Sequence, residues 1–209
     1  MHSRTLWTDA NAVARSCLTH PFVTGIADGS LDRRAFTHYV GQDAIYLDSF
    51  ARAFALGMAK APDPPSMQTF KALLDGVMEE LQLHAGYAAR WGADLHPAPT
   101  PATRAYTDFL LRVAALEPAG HICAAMAPCM RLYAWLGQQL SATSDPTSPY
   151  AEWVTTYAAE EFDDMASTME GLLDDLGGDE ASIASHYATA MDLELAFFDS
   201  AHRSAQDAG

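Results

Sequence analysis

Basic residues are scarce in this chain of 209: 12 lysines and arginines stand against 27 aspartates and glutamates, a formal charge of −15. Such a surface repels phosphate backbones and anionic headgroups, which argues against nucleic acid and membrane partners. Long apolar runs are missing as well. No uncharged stretch of bilayer-spanning length occurs, and the N-terminal MHSRTLWTDANAVARS holds no apolar segment of signal-peptide length, so a cytoplasmic location is expected. Period-two runs rich in Val, Ile and Thr are absent, which removes the signature of a sheet. Cysteine is limited to Cys17, Cys123 and Cys129, an odd number with no zinc-type spacing, so free thiols are expected. Nor does any Glu-x-x-His occur, the pair that a dinuclear carboxylate centre draws from two helices of a bundle.

What is present is apolar periodicity. Hydrophobic residues make up 49% and charged residues 19%, a composition that folds. The length suits one domain over 1–209, with no stretch resembling a linker. Apolar residues recur every three or four positions, which predicts an all-α bundle of about seven or eight helices. They are expected near Thr5–Thr19, Asp32–Ala61, Pro65–Gly92, Thr100–Ala115, Ala119–Leu140, Pro149–Leu176 and Asp179–Ala205, with a shorter one from Pro21. Asp28-Gly29-Ser30 and the proline-rich run Ala61–Pro65 supply breaks; Ser148 before Pro149 reads as an N-cap, and Gly177-Gly178 as a helix end. Long helices with short connections favour antiparallel packing.

Acidic residues interrupt the apolar stripes. Asp43 falls among Phe36, Tyr39, Tyr46 and Phe50; Glu161 among Trp153, Tyr157 and Met165; Glu194 among Ile183, Tyr187 and Phe197; and Glu80 and His84 lie one turn apart between Val77 and Trp91. Only one of the adjacent Glu160 and Glu161 can share the stripe, and periodicity selects Glu161. A buried carboxylate costs several kcal/mol unless paired, and four of them in one bundle point to a polar pocket. A haem would need only one axial histidine, for which His38, His84, His121 and His186 are all available, a weak signal in each case.

A third chemistry needs no metal. In AMAPCMRLY, residues 125–133, Cys129 follows a proline and shares a helix face with Tyr133 one turn on. Tyr46, Tyr106, Tyr133 and Tyr157 fall on four helices, three of them one turn from Asp43, Cys129 and Glu161. A thiol nucleophile, a carboxylic acid as proton donor and tyrosines around them suit a flat, nitrogen-rich ring: aromatic faces stack it and carboxylates take its N–H groups.

Five collinear motifs, HPFVTGIADGSL, HYVGQDAIYLDSFARAFALGMAKA, AAMAPCMRLYAWLG, YAEWVTTYAAEEFDDM and LELAFFDSAH, resemble the TenA family, thiaminase II, from His20 to His202. The resemblance implies a haem-oxygenase-like bundle that binds no haem, with no metal and no cofactor, assembled as a homotetramer. It implies removal of the leaving group from the methylene carbon of thiamin-related aminopyrimidines, giving hydroxymethyl aminopyrimidine, in thiamin salvage. Carried over by motif, Cys129 resembles the nucleophile and Glu194 the acid that protonates the ring. Asp43 resembles the residue holding the amino side of the pyrimidine, and Tyr46, Tyr106, Tyr133, Tyr157 and Phe197 resemble pocket residues. Because Cys129 is retained, the chain resembles the cysteine-containing class. A non-catalytic pyrimidine-binding or regulatory protein on the same fold is the alternative.

Overall fold

Prolines and short polar side chains set where the helices begin. The computed structural model describes residues 3–204 apart from the side chains of residues 83–85 and 87, so the side chain of His84 lies outside the described residues. Among the described residues there are ten helices and no strand. Helix α3 (Pro21–Asp28) is capped by His20, whose Nδ1 accepts from the Phe22 N–H, and it ends at Gly29 with a left-handed φ of 77°. Asp32 caps α4 (Arg33–Lys60), Asp63 caps α5 (Pro64–Trp91) and Thr100 caps α6 (Pro101–Leu116), each accepting a first-turn backbone N–H. Prolines occupy first-turn positions of α5 and α6, where their missing donor costs nothing.

The helix number exceeds the expected seven or eight because two expected helices are each broken. Thr5–Thr19 becomes α1 (Ser3–Asp9) and α2 (Asn11–Leu18), and Pro149–Leu176 becomes α8 (Ala151–Ala158) and α9 (Glu160–Leu176). The second break lies at Ala159, whose φ of −65° and ψ of 144° are extended. It turns the phase of the following helix. Tyr157 and Phe162 both reach the interior, their ring centroids 4.9 Å apart, whereas Glu161, expected inside, rotates out to solvent beside Glu160. Ser148 does not cap a helix at Pro149 as expected. Its hydroxyl donates to the Ile26 carbonyl and accepts from the Tyr150 N–H, tying the turn before α8 to α3.

Helix α7 (Ala119–Ser141) runs through the middle and is buried along nearly its whole length, Pro128 included. It packs on α6, α8, α9 and α10 (Glu180–Ser204). Consecutive long helices are antiparallel, as expected. Helices α7 and α10 therefore run in the same direction, and His121–His186 and Tyr133–Phe198 ring contacts hold them at one constant sequence offset. Arg131, mostly buried, donates to Asp163 and Glu170 and fixes α7 to α9 one half-turn past Cys129.

At Gly137 the backbone of α8 lies directly against α7, and a Cβ there would overlap the Tyr157 carbonyl carbon and the Ala158 nitrogen. Gly137→Ala is expected to destabilise the protein by about 1–3 kcal/mol, because backbone rather than a flexible side chain must move. The melting temperature should fall by about 2–4 °C per kcal/mol in a thermal scan.

Candidate active site

Five helices meet around one cavity. Helix α4 contributes Asp43, Tyr46 and Phe50, α5 contributes Val77 and Glu80, α7 contributes Cys129, Met130 and Tyr133, and α8 and α9 add Tyr157, Phe162 and Met165. The cavity between these side chains measures only about 30 Å³, a narrow and mostly apolar slot. Met130 and Met165 line it, and their unbranched thioethers can swing aside for a flat ring.

The carboxylates differ in their settings. Asp43 is 4% exposed and sits on the inner face of α4. One residue before it, buried Gln42 takes the Thr100 N–H and the Thr103 hydroxyl on its Oε1 and donates to the Ala98 carbonyl, which pins α4 to the α5–α6 connection at that level. Glu80 reaches the slot from α5 and accepts the Tyr157 hydroxyl at 2.8 Å. Glu194, 2% exposed, does not line the slot but lies in the layer behind it, where Tyr106 donates to its Oε1 at 2.6 Å.

Burial governs the titration of this layer. It pushes the Glu194 carboxyl up to about 7, against the Tyr106 hydroxyl and the Cys129 thiol, which favour the ionised form, and Asp43 adds a further push upward. Cys129 is held well above the usual thiol range, first by burial and then by the Glu194 charge, while the Tyr46 hydroxyl facing it pulls the other way. The Tyr46 hydroxyl thus faces the thiol, with the Tyr106 hydroxyl on its other side. Cys129 keeps part of its surface open, and because the thiol is deep in the bundle this opening is to the slot. Cys17 and Cys123 are wholly buried in the core, and burial raises both, Cys17 to about 12.

Aromatic rings complete the walls. Tyr133 and Tyr157 meet edge to face at 4.8 Å, and Trp153 packs on Tyr157 at the same distance. The Trp153 indole donates to the Tyr39 hydroxyl, which donates to the Tyr133 hydroxyl at 3.2 Å. Tyr46 lies 4.7 Å from Tyr106 and 6.1 Å from Phe197. Burial holds Tyr39, Tyr46, Tyr106, Tyr133 and Tyr157 far above the normal phenol range, so all five are neutral donors.

Of the residues singled out in the sequence, Asp43, Tyr46, Cys129, Tyr133 and Tyr157 thus share the slot, with Glu80 beside them. Tyr106, Glu194 and Phe197 form the layer behind. Glu161 is in neither, and His38, His121 and His186 lie elsewhere. Tyr39, Trp153, Phe50 and Phe162 were not selected; Tyr39 is one turn before Asp43 on the same stripe, a spacing that could have found it.

The model of the TENA/THI-4/PQQC family matches residues 7–204. The chain is 34% identical to the aminopyrimidine aminohydrolase of Halalkalibacterium halodurans, over 94% of this chain and 93% of that one. A crystal structure described as a TenA family transcription regulator from Silicibacter is 27% identical and superposes with a TM-score of 0.88 over 95% of both chains. A heme oxygenase-like domain from Shewanella denitrificans, 15% identical, shares the fold with a TM-score of 0.78 over 99% of this chain and 94% of that one.

Proposed function

The chain belongs to the TENA/THI-4/PQQC family, and on that premise we propose that it hydrolyses thiamin-related aminopyrimidines, with Cys129 as nucleophile and Glu194 as acid. The observation that carries this reading is the thiol at the wall of an aromatic slot with a carboxyl raised to about 7 immediately behind it. Asp43 takes the amino edge of the ring. Tyr46, Tyr133 and Tyr157 form the walls, and Phe197 packs behind Tyr46 to keep it in place.

The raised thiol shapes the mechanism. Cys129 rests as S–H, so addition to the ring requires its proton to leave as the carbon–sulfur bond forms. Glu194, ionised in part of the molecules at neutral pH, accepts that proton and passes it to the ring nitrogen, where negative charge develops. The amine then departs from the methylene carbon, water adds there, and sulfur is released as the proton returns. The net reaction converts aminomethyl aminopyrimidine and water to hydroxymethyl aminopyrimidine and ammonia.

The same reading takes 1–209 as one catalytic domain that works as a cytoplasmic homotetramer without a cofactor. Among the described residues no helix is long and apolar enough to cross a membrane. Exposed Met67 and Met78 on α5 are apolar surface that subunit contact would cover.

Incubation with the aminomethyl pyrimidine and with thiamin, followed by product analysis, tests the reaction. Hydroxymethyl aminopyrimidine is the expected product, and Asp43→Ala should raise KM by roughly tenfold or more, as a lost charge-assisted hydrogen bond does. Tight binding with the substrate recovered intact would instead establish a non-catalytic pyrimidine-binding protein, the reading closer to the description of the Silicibacter relative.

A further inference from the structure

We propose that Glu117, His121 and His186 form a binding site for one divalent first-row transition cation, separate from the slot. Glu117 closes α6, His121 lies in the first turn of α7 and His186 in the second turn of α10, so the three come from three helices. One ligating atom from each lies within 4.8 Å of the other two. The His121 Nδ1 and a Glu117 carboxylate oxygen are 3.2 Å apart. Two ligands about 2.0–2.1 Å from a tetrahedral ion stand about 3.3 Å apart, so this pair is already at ligand spacing.

Two further features point to an ion. The His186 Nε2 is buried and has no hydrogen-bond partner among the described residues. A buried nitrogen left so costs free energy, which a metal bond would recover. His121 is itself wedged: a Cβ on Gly178 would come within 2.7 Å of its Nε2, and a Cβ on Gly120 would overlap the Gly177 carbonyl. The α9–α10 turn therefore closes on the ring through glycines and fixes its orientation before any ion arrives. Asp179 is a neighbouring anion and Arg112 a neighbouring cation, so the local field is balanced rather than repulsive.

Two imidazoles and one carboxylate favour Zn²⁺ and its neighbours over Ca²⁺ or Mg²⁺, which take oxygen ligands. None of the three residues lines the slot. His121 and His186 each precede a site residue, Cys129 and Glu194, by eight positions, about 12 Å of helix. An ion there would bolt the α6–α7 corner to α10 and lock the register that sets the thiol against the acid.

The test uses the full-length, untagged chain, stripped with chelator and titrated with Zn²⁺ by calorimetry. One equivalent should bind, and at 100-fold excess over Kd the melting temperature should rise by about 5–10 °C. Co²⁺ added to a Cys129→Ser background should give d–d bands without thiolate charge transfer, which separates this site from the slot. His186→Gln and Glu117→Gln should each weaken Zn²⁺ binding tenfold or more while circular dichroism stays native; if one fails to fold, the other decides. No binding by the wild type, or binding and melting shifts unchanged in both variants, overturns the proposal.

Discussion

Replacing Cys129 by alanine is expected to lower kcat on the aminomethyl pyrimidine by about 10³-fold or more, with the ligand still bound. Two features make the loss that large. Among the three cysteines only this one lies at the slot, since Cys17 and Cys123 are sealed in the core. The neighbouring tyrosines cannot take over, because burial holds their hydroxyls protonated far above neutral pH. Binding should survive because the walls and Asp43 stay in place, so Kd measured by calorimetry should change by less than about threefold while turnover disappears. Cys123→Ala supplies the contrast: it removes a buried sulfur at a cost to stability but should leave kcat within about twofold. Full turnover by Cys129→Ala would sink the covalent mechanism and leave hydrolysis to Glu194 and water.

Where sequence reasoning succeeded, a local rule and the tertiary environment asked for the same residue. The starts expected near Asp32, Pro65 and Thr100 fall within a residue of the observed ones because Asp32, Asp63 and Thr100 accept first-turn donors there, whereas the cap expected at Ser148 does not form. Asp43 and Glu194 were legible because each interrupts an otherwise apolar stripe on an unbroken helix. Glu161 shows the limit of that method. Its stripe was drawn through Ala159, and one extended residue there rotated everything after it. Alanine carries no breaking signal, so nothing local marks the position; packing of Tyr157 and Phe162 into one slot selects it. The layering of the site was illegible for a related reason. Periodicity says that Tyr106 and Glu194 face inward but not how deep they lie, and depth is what separates the acid behind the thiol from the carboxylates at the walls.

That depth makes Glu194→Gln the most informative second substitution. Glutamine keeps the shape and the Tyr106 hydrogen bond but can neither accept nor return a proton. The kcat should fall by about 10²–10⁴-fold, the usual worth of a positioned acid–base group. The pH profile carries the sharper signature. In the wild type the productive state holds one proton between Cys129 and Glu194, so activity should rise as the second proton leaves the acid near pH 7. In the variant that limb should vanish, and residual activity should climb steadily towards the thiol range; using one substrate for both proteins cancels its own titration. Stability should respond in the opposite sense. Folded Glu194 keeps its proton up to about pH 7, whereas the unfolded carboxyl loses it near 4.5, so between those values the folded state binds more protons. Stability contributed by this group is therefore complete below about pH 4.5 and declines as pH rises to 7, by roughly 3 kcal/mol in all. Glu194→Gln should remove that decline. In urea titrations at pH 5 and pH 8, the variant should gain on the wild type at the higher pH. An equal gap at both values would mean that the acid titrates normally, and the proton relay from Cys129 would lose its basis.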